Sequence, residues 1–136
     1  MIQIIAGKKG SGKTKRLIDM TNKTAAESHG SVVFLDDDNS YMFDIDRSVR
    51  FVNAGEYHVR TPEMFIGFLG GMLSQNFDIG TIFIDAFTRL CKTELSEAAW
   101  LFDAMNELSE KHGVSFVLSV SADPDELPDF MQKDVI

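Results

Sequence analysis

The chain has 136 residues, enough for one domain that buries roughly 68% of its unfolded surface. Its 21 acidic residues outnumber the 13 basic ones, and a net charge of −8 argues against nucleic acid or an anionic membrane as partner, because phosphate-backbone binding rests on clustered Lys and Arg. A single cysteine, Cys91, excludes an internal disulfide and a cysteine-built metal site and fits a reducing, cytoplasmic setting.

Ile2 to Ala6 is an apolar run that predicts a buried strand, and Lys8 and Lys9 interrupt it too soon for a secretory leader. The strand leads into a glycine-rich turn and then a helix. Gly7, Gly12, Lys13 and Thr14 satisfy G-x-x-x-x-G-K-[ST], the phosphate-binding loop. The spacing has a physical cause. A chain of phosphates must be wrapped by inward-pointing backbone N–H groups, and Gly7, Gly10 and Gly12 let the backbone come close enough. The new helix adds unpaired amides and the positive end of its dipole. Lys13 is placed to reach the β- and γ-phosphates and Thr14 to ligate Mg²⁺. Lys8, Lys9, Ser11 and Lys15 join the candidate nucleotide-binding set, and the basic cluster of Lys8, Lys9, Lys13, Lys15 and Arg16 suits a nucleotide better than a polymer. A dinucleotide fingerprint fails, because Lys15 stands where a glycine or alanine is required.

The first helix is predicted from Lys13 to about Ser28, with Gly30 as a left-handed cap. Ser31 to Leu35 reads as a second buried strand running into Asp36-Asp37-Asp38, and Val49 to Asn53 as a short one. Tyr41 and Phe43, between them, either stack on a base or cover the core. Thr61-Pro62-Glu63 is a helix start, and the apolar segment Met64 to Gln75 is too short for a bilayer that needs about 20 residues. It predicts a buried helix whose Gly67, Gly70 and Gly71 allow close packing on a sheet. Gly80 to Asp85 reads as a strand, Glu94 to Lys111 as an amphipathic helix with Trp100 packed inside, and Val114 to Val120 as the last strand. A short helical piece is expected near Phe130. His29, His58 and His112 lack ligand spacing. Strands alternating with helices imply parallel βαβ units, a sheet covered on both faces, and ligands at the carboxyl ends of the strands.

Asp85 closes an apolar strand, where a carboxylate suits the Mg²⁺ of a bound nucleotide. With GKKGSGKT and TIFID, the sequence resembles the P-loop NTPases. The resemblance implies a single-domain, three-layer α/β fold over residues 1–136, with a mostly parallel sheet of about five strands flanked by helices. It also implies ATP and Mg²⁺ as ligands. The order of strands looks like the RecA-like branch, in which a polar residue ends the strand after the one bearing the aspartate. Ser119 or Ser121 occupies that place as a candidate γ-phosphate sensor. The branch usually puts a glutamate directly after the aspartate to polarise the attacking water, and here that residue is Ala86. Asp36 and Asp38 are the candidate replacements, with Lys13 as the third catalytic candidate. Asp36-x-Asp38 and Lys8 also resemble the switch segment and signature lysine of ParA/MinD-type ATPases, which implies an ATP-dependent homodimer. Lys9 and the short chain depart from that pattern. Asn22-Lys23-Thr24-Ala25 lacks the aspartate of a guanine-reading motif, which favours ATP over GTP. The expected function is therefore a Mg²⁺-dependent ATP-binding protein, a slow ATPase that regulates or drives a partner protein. A nucleoside-type kinase and a non-hydrolysing nucleotide-sensing adaptor are the alternatives.

Overall fold

The computed structural model describes residues 1–136 as one α/β domain. Five strands form a single sheet in the order β1 (Ile2–Gly7), β5 (Ser115–Ser121), β4 (Ile79–Ile84), β2 (Ser31–Asp36), β3 (Arg50–Asn53), and every neighbouring pair is parallel. The expected "mostly parallel" sheet is thus wholly parallel. The outer edge of β1 is closed by the chain end: Ile4 N–H donates to the Asp134 carbonyl (2.8 Å), and Ile136 N–H donates to the Ile4 carbonyl (2.9 Å).

Helices cover both faces, as a parallel sheet requires. On one face lies α1 (Lys13–Glu27), whose Leu17 and Ile18 pack on Ile5, Val32, Phe34, Phe83 and Val117. The other face carries the larger core, under α2 (Pro62–Gln75), α3 (Phe87–Cys91) and α4 (Ala99–His112). A chain of edge-to-face aromatic contacts runs through it from Phe65 to Phe87, Phe102 and Phe130, with ring centroids 5.4–6.0 Å apart. Phe130 lies on the terminal turn α5 (Asp129–Gln132). No helix is long and apolar enough to cross a membrane.

Several expectations are corrected. Gly30 is not left-handed: α1 ends at Glu27, Ser28 turns extended, and Gly30 matters because a Cβ there would lie 2.8 Å from the Asp78 carbonyl. In α2, Thr61 caps as expected, its hydroxyl accepting from Met64 N–H (3.1 Å). Only the stripe Phe65, Leu69 and Leu73 is buried, however, and a Cβ on Gly67, Gly70 or Gly71 would touch nothing, so these glycines make no close packing. The segment from Glu94 starts as a tight turn (Leu95–Glu97) before α4, and Trp100 is 43% exposed. Phe43 is 93% exposed, so it does not cover the core; Ile45 and Val49 do. Helix α3 was not expected.

Phe87 is fully buried and joins two of the aromatic contacts. Phe87→Ala is expected to cost roughly 3–5 kcal/mol in urea unfolding. A cost under about 1 kcal/mol would contradict this packing.

Candidate functional site

Strand register builds the site. Leu35 pairs with Ile84 and Ile84 with Leu118, so one residue further on Asp36, Asp85 and Ser119 stand side by side at the carboxyl edge of β2, β4 and β5. Side chains alternate along a strand. Phe34, Phe83 and Val117 face α1, and two residues on Asp36, Asp85 and Ser119 face the same way. All three are buried.

The glycine-rich turn brings the first turn of α1 to that row. Gly10 (φ +84°) and Gly12 (φ +86°) take the left-handed backbone that only glycine adopts cheaply. Gly7 serves differently, because a Cβ on it would run into the Ser11 hydroxyl, which folds over it. Ser11 N–H donates to the Lys8 carbonyl (3.0 Å), closing the turn. Thr14, the second residue of α1, then directs its hydroxyl at both Asp85 carboxylate oxygens, 3.2 and 3.3 Å away.

Ser119 braces the arrangement from β5. Its hydroxyl donates to Asp85 Oδ1 and accepts from Ala86 N–H (2.9 Å). With its one proton given to Asp85, Ser119 acts here on the carboxylate's position. The exposed Ser121 lines the cavity beside it. Ala86 takes a left-handed backbone (φ 52°, ψ 49°), costly for a residue with a Cβ, and this turns the chain from β4 straight into α3.

A cavity of about 1000 Å³ opens over this edge. Its walls include Lys9, Gly10, Gly12, Lys13, Thr14 and Lys15 from the predicted loop. Asp85 and Ser119, from the strand ends, complete the predicted part. Gly7, Lys8 and Ser11 shape the loop without lining the cavity, and Lys8 is exposed. A hydroxyl and a carboxylate side by side form an all-oxygen donor set suited to a hard divalent cation such as Mg²⁺, which keeps waters and phosphate oxygens as its other ligands. The lysines and loop amides suit an oxyanion.

The three acids of the triplet differ in their surroundings, and neither Asp36 nor Asp38 lines the cavity. Asp36 accepts from Asp37 N–H through Oδ1 (2.7 Å), while its buried Oδ2 has no partner. Burial, reinforced by the charge of Asp85, pushes its carboxyl up to about 7, against the pull of the Asp37 amide. Asp37 receives a fork from Arg89 on α3, with Nε 2.8 Å from Oδ2 and Nη2 3.1 Å from Oδ1. Asp38 accepts from Ser40 N–H (2.9 Å), and hydrogen bonding to Ser40 holds its carboxyl below the usual range.

Sequence reasoning missed Arg89, Asp19, Asn22 and Asp44, which also line the cavity. Asn22 staples the β2–β3 loop to α1, its Nδ2 donating to the Asp44 carbonyl (3.0 Å) and its Oδ1 accepting from Asp46 N–H (2.8 Å). Arg89 had one available signal, its place four residues after Asp85. Nothing in the local pattern marks Asp44.

A carboxyl raised in the native state binds its proton more tightly than in the unfolded chain, whose carboxyl ionises near 3.8. The protonated Asp36 therefore contributes stability in full below that value, and the contribution is lost as pH rises towards 7. In metal-free protein, wild type minus Asp36→Asn should show stability falling by roughly 2–4 kcal/mol between pH 4 and 7.5, measured by urea unfolding. A flat difference would contradict a protonated Asp36.

No protein-family profile matches the chain, and no curated protein matches it in sequence.

Proposed function

We propose that this chain is a Mg²⁺-dependent ATP-binding protein of the P-loop NTPase kind, a slow ATPase that regulates or drives a protein partner in the cytoplasm. One observation carries the reading: the Lys13 loop and the Thr14–Asp85 pair, whose members are 71 residues apart in sequence, open on the same cavity. Thr14 and Asp85 would hold the cation, whose charge, when bound, would offset that building on the phosphate oxygens. Lys13 and the loop amides bind and orient the phosphates. Ser119 fixes the Asp85 carboxylate.

Slow turnover is supported by the state of the residues expected to supply the base. Ala86 offers no base, Asp36 is buried behind the wall, and Asp38 is engaged with its own loop. Lys8, exposed and off the cavity wall, can reach out of the molecule, and an ATP-dependent homodimer is one form of the same reading. A second reading, a nucleoside-type kinase, is favoured by the far end of the cavity. There Ile18, Asn22, Tyr41 and Asp44 leave room beyond the loop for an acceptor, and the Asp44 carboxylate has no ion pair.

Isothermal titration with Mg·ATP should show affinity falling at least about a hundredfold in Lys13→Ala, from the loss of charged hydrogen bonds to the phosphates. Unchanged affinity would refute the loop's role. Asp85→Ala should abolish the Mg²⁺ dependence of ATP binding while the circular dichroism spectrum stays native. Retained metal dependence would refute the assignment of Asp85. Phosphate release without an added acceptor supports the ATPase, and release only with a nucleoside supports the kinase.

A further inference from the structure

Four cationic side chains line the cavity, and three of them, Lys9, Lys13 and Lys15, belong to the loop and the start of α1. Arg89 alone comes from α3, whose Phe87, Leu90 and Cys91 are anchored in the core on the opposite face of the sheet. It stands one helical turn beyond Asp85, and the charges of Asp36 and Asp85 reach it as well as that of Asp37. The cavity is thus lined by cations from two separate elements, the loop with the start of α1 and, through Arg89, α3.

The geometry of the guanidinium adds to this. Its fork onto Asp37 uses Nε and Nη2, while Nη1 donates to nothing in the protein. The side chain is 66% exposed. The Asp37 backbone passes close to Gly55, where a Cβ would lie 2.9 Å from the Asp37 carbonyl, so only glycine leaves room for that approach. An arginine oriented by one carboxylate and still offering donors to a cavity is pre-arranged for an oxyanion. Asp37, the first residue after β2, receives the fork, and its neighbour Asp36 does not. Asp36, the last residue of the strand, faces α1, whereas Asp37 lies in the bend beyond it and meets Arg89 of α3.

We infer that Arg89 is a ligand of the nucleotide's terminal phosphate, presented to it by Asp37 as a positioning residue; this rests on the ATP-binding reading above. Arg89 then discriminates a triphosphate from a diphosphate, and the Arg89–Asp37 pair links the state of the nucleotide to the loop that follows β2.

The test is titration calorimetry of the full chain with Mg·ADP and with the Mg complex of the β,γ-imido analogue of ATP. Arg89→Ala should lower affinity for the analogue roughly tenfold to a hundredfold and for ADP less than about threefold. Asp37→Asn should shift the same ratio in the same direction by a smaller factor. Should Arg89→Ala fail to fold, Arg89→Lys, which keeps the charge and loses the fork, should also reduce the analogue-to-ADP ratio. Equal losses for both nucleotides, or no loss, would overturn the role of Arg89 and leave the nucleotide reading intact. A wild type that binds neither nucleotide would overturn both.

Discussion

Asp85 is the point at which the parts of the candidate site are tied together. Its carboxylate receives hydroxyl protons from Thr14, on the first turn of α1, and from Ser119, near the end of β5. Its backbone N–H extends the ladder to the Leu35 carbonyl of β2 (3.0 Å). One residue thus connects the glycine-rich turn, the central strand and the acidic triplet. The parallel sheet makes this work, because each strand delivers its last residues to the same edge and the register brings Asp36, Asp85 and Ser119 level.

The same edge concentrates unfavourable charge. Two buried carboxylates stand on neighbouring strands, and the structure handles them in different ways. Asp85 is given hydrogen-bond donors, whereas Asp36 is left with an unpartnered oxygen and a carboxyl that holds its proton towards neutrality. Burying a lone carboxylate would cost several kcal/mol, and keeping the proton avoids that cost. Arg89 compensates the third acid, Asp37, from the opposite face of the sheet. Bidentate pairing orders an arginine that would otherwise sample many rotamers, and that arginine lines the cavity.

Much of this was legible in the residues, for physical reasons. The apolar runs at Ile2–Ala6, Ser31–Leu35, Gly80–Asp85 and Val114–Val120 predicted four strands to within a residue or two, since strands buried on both faces are continuously hydrophobic. The spacing of Gly7, Gly12, Lys13 and Thr14, with Gly10 between, foretold the turn, because the left-handed residues Gly10 and Gly12 leave little choice of side chain. What stayed hidden was set by long-range contacts. Helix α3 is five residues long, too short for a period to register, and its left-handed start at Ala86 carries no glycine to announce it. Arg89 was lost with it. The triplet Asp36–Asp38 looked uniform in sequence, and only the end of β2 at Asp36 and the long-range contact with Arg89 separate a buried acid, a paired acid and a loop cap. The apolar composition of α2 pointed to full burial, yet only Phe65, Leu69 and Leu73 are buried, with Ile66, Phe68 and Met72 half-buried beside them, and the glycines make no close contact.

The claim on which the functional account depends is that the turn between β1 and α1 holds a chain of phosphates against Asp85. A crystal structure of the protein grown with Mg²⁺ and a non-hydrolysable ATP analogue tests it most directly. The account predicts phosphates wrapped by residues 7–14, with the cation between Thr14, Asp85 and the phosphate oxygens. A turn closed on its own side chains, or a nucleotide bound elsewhere on the molecule, would contradict it.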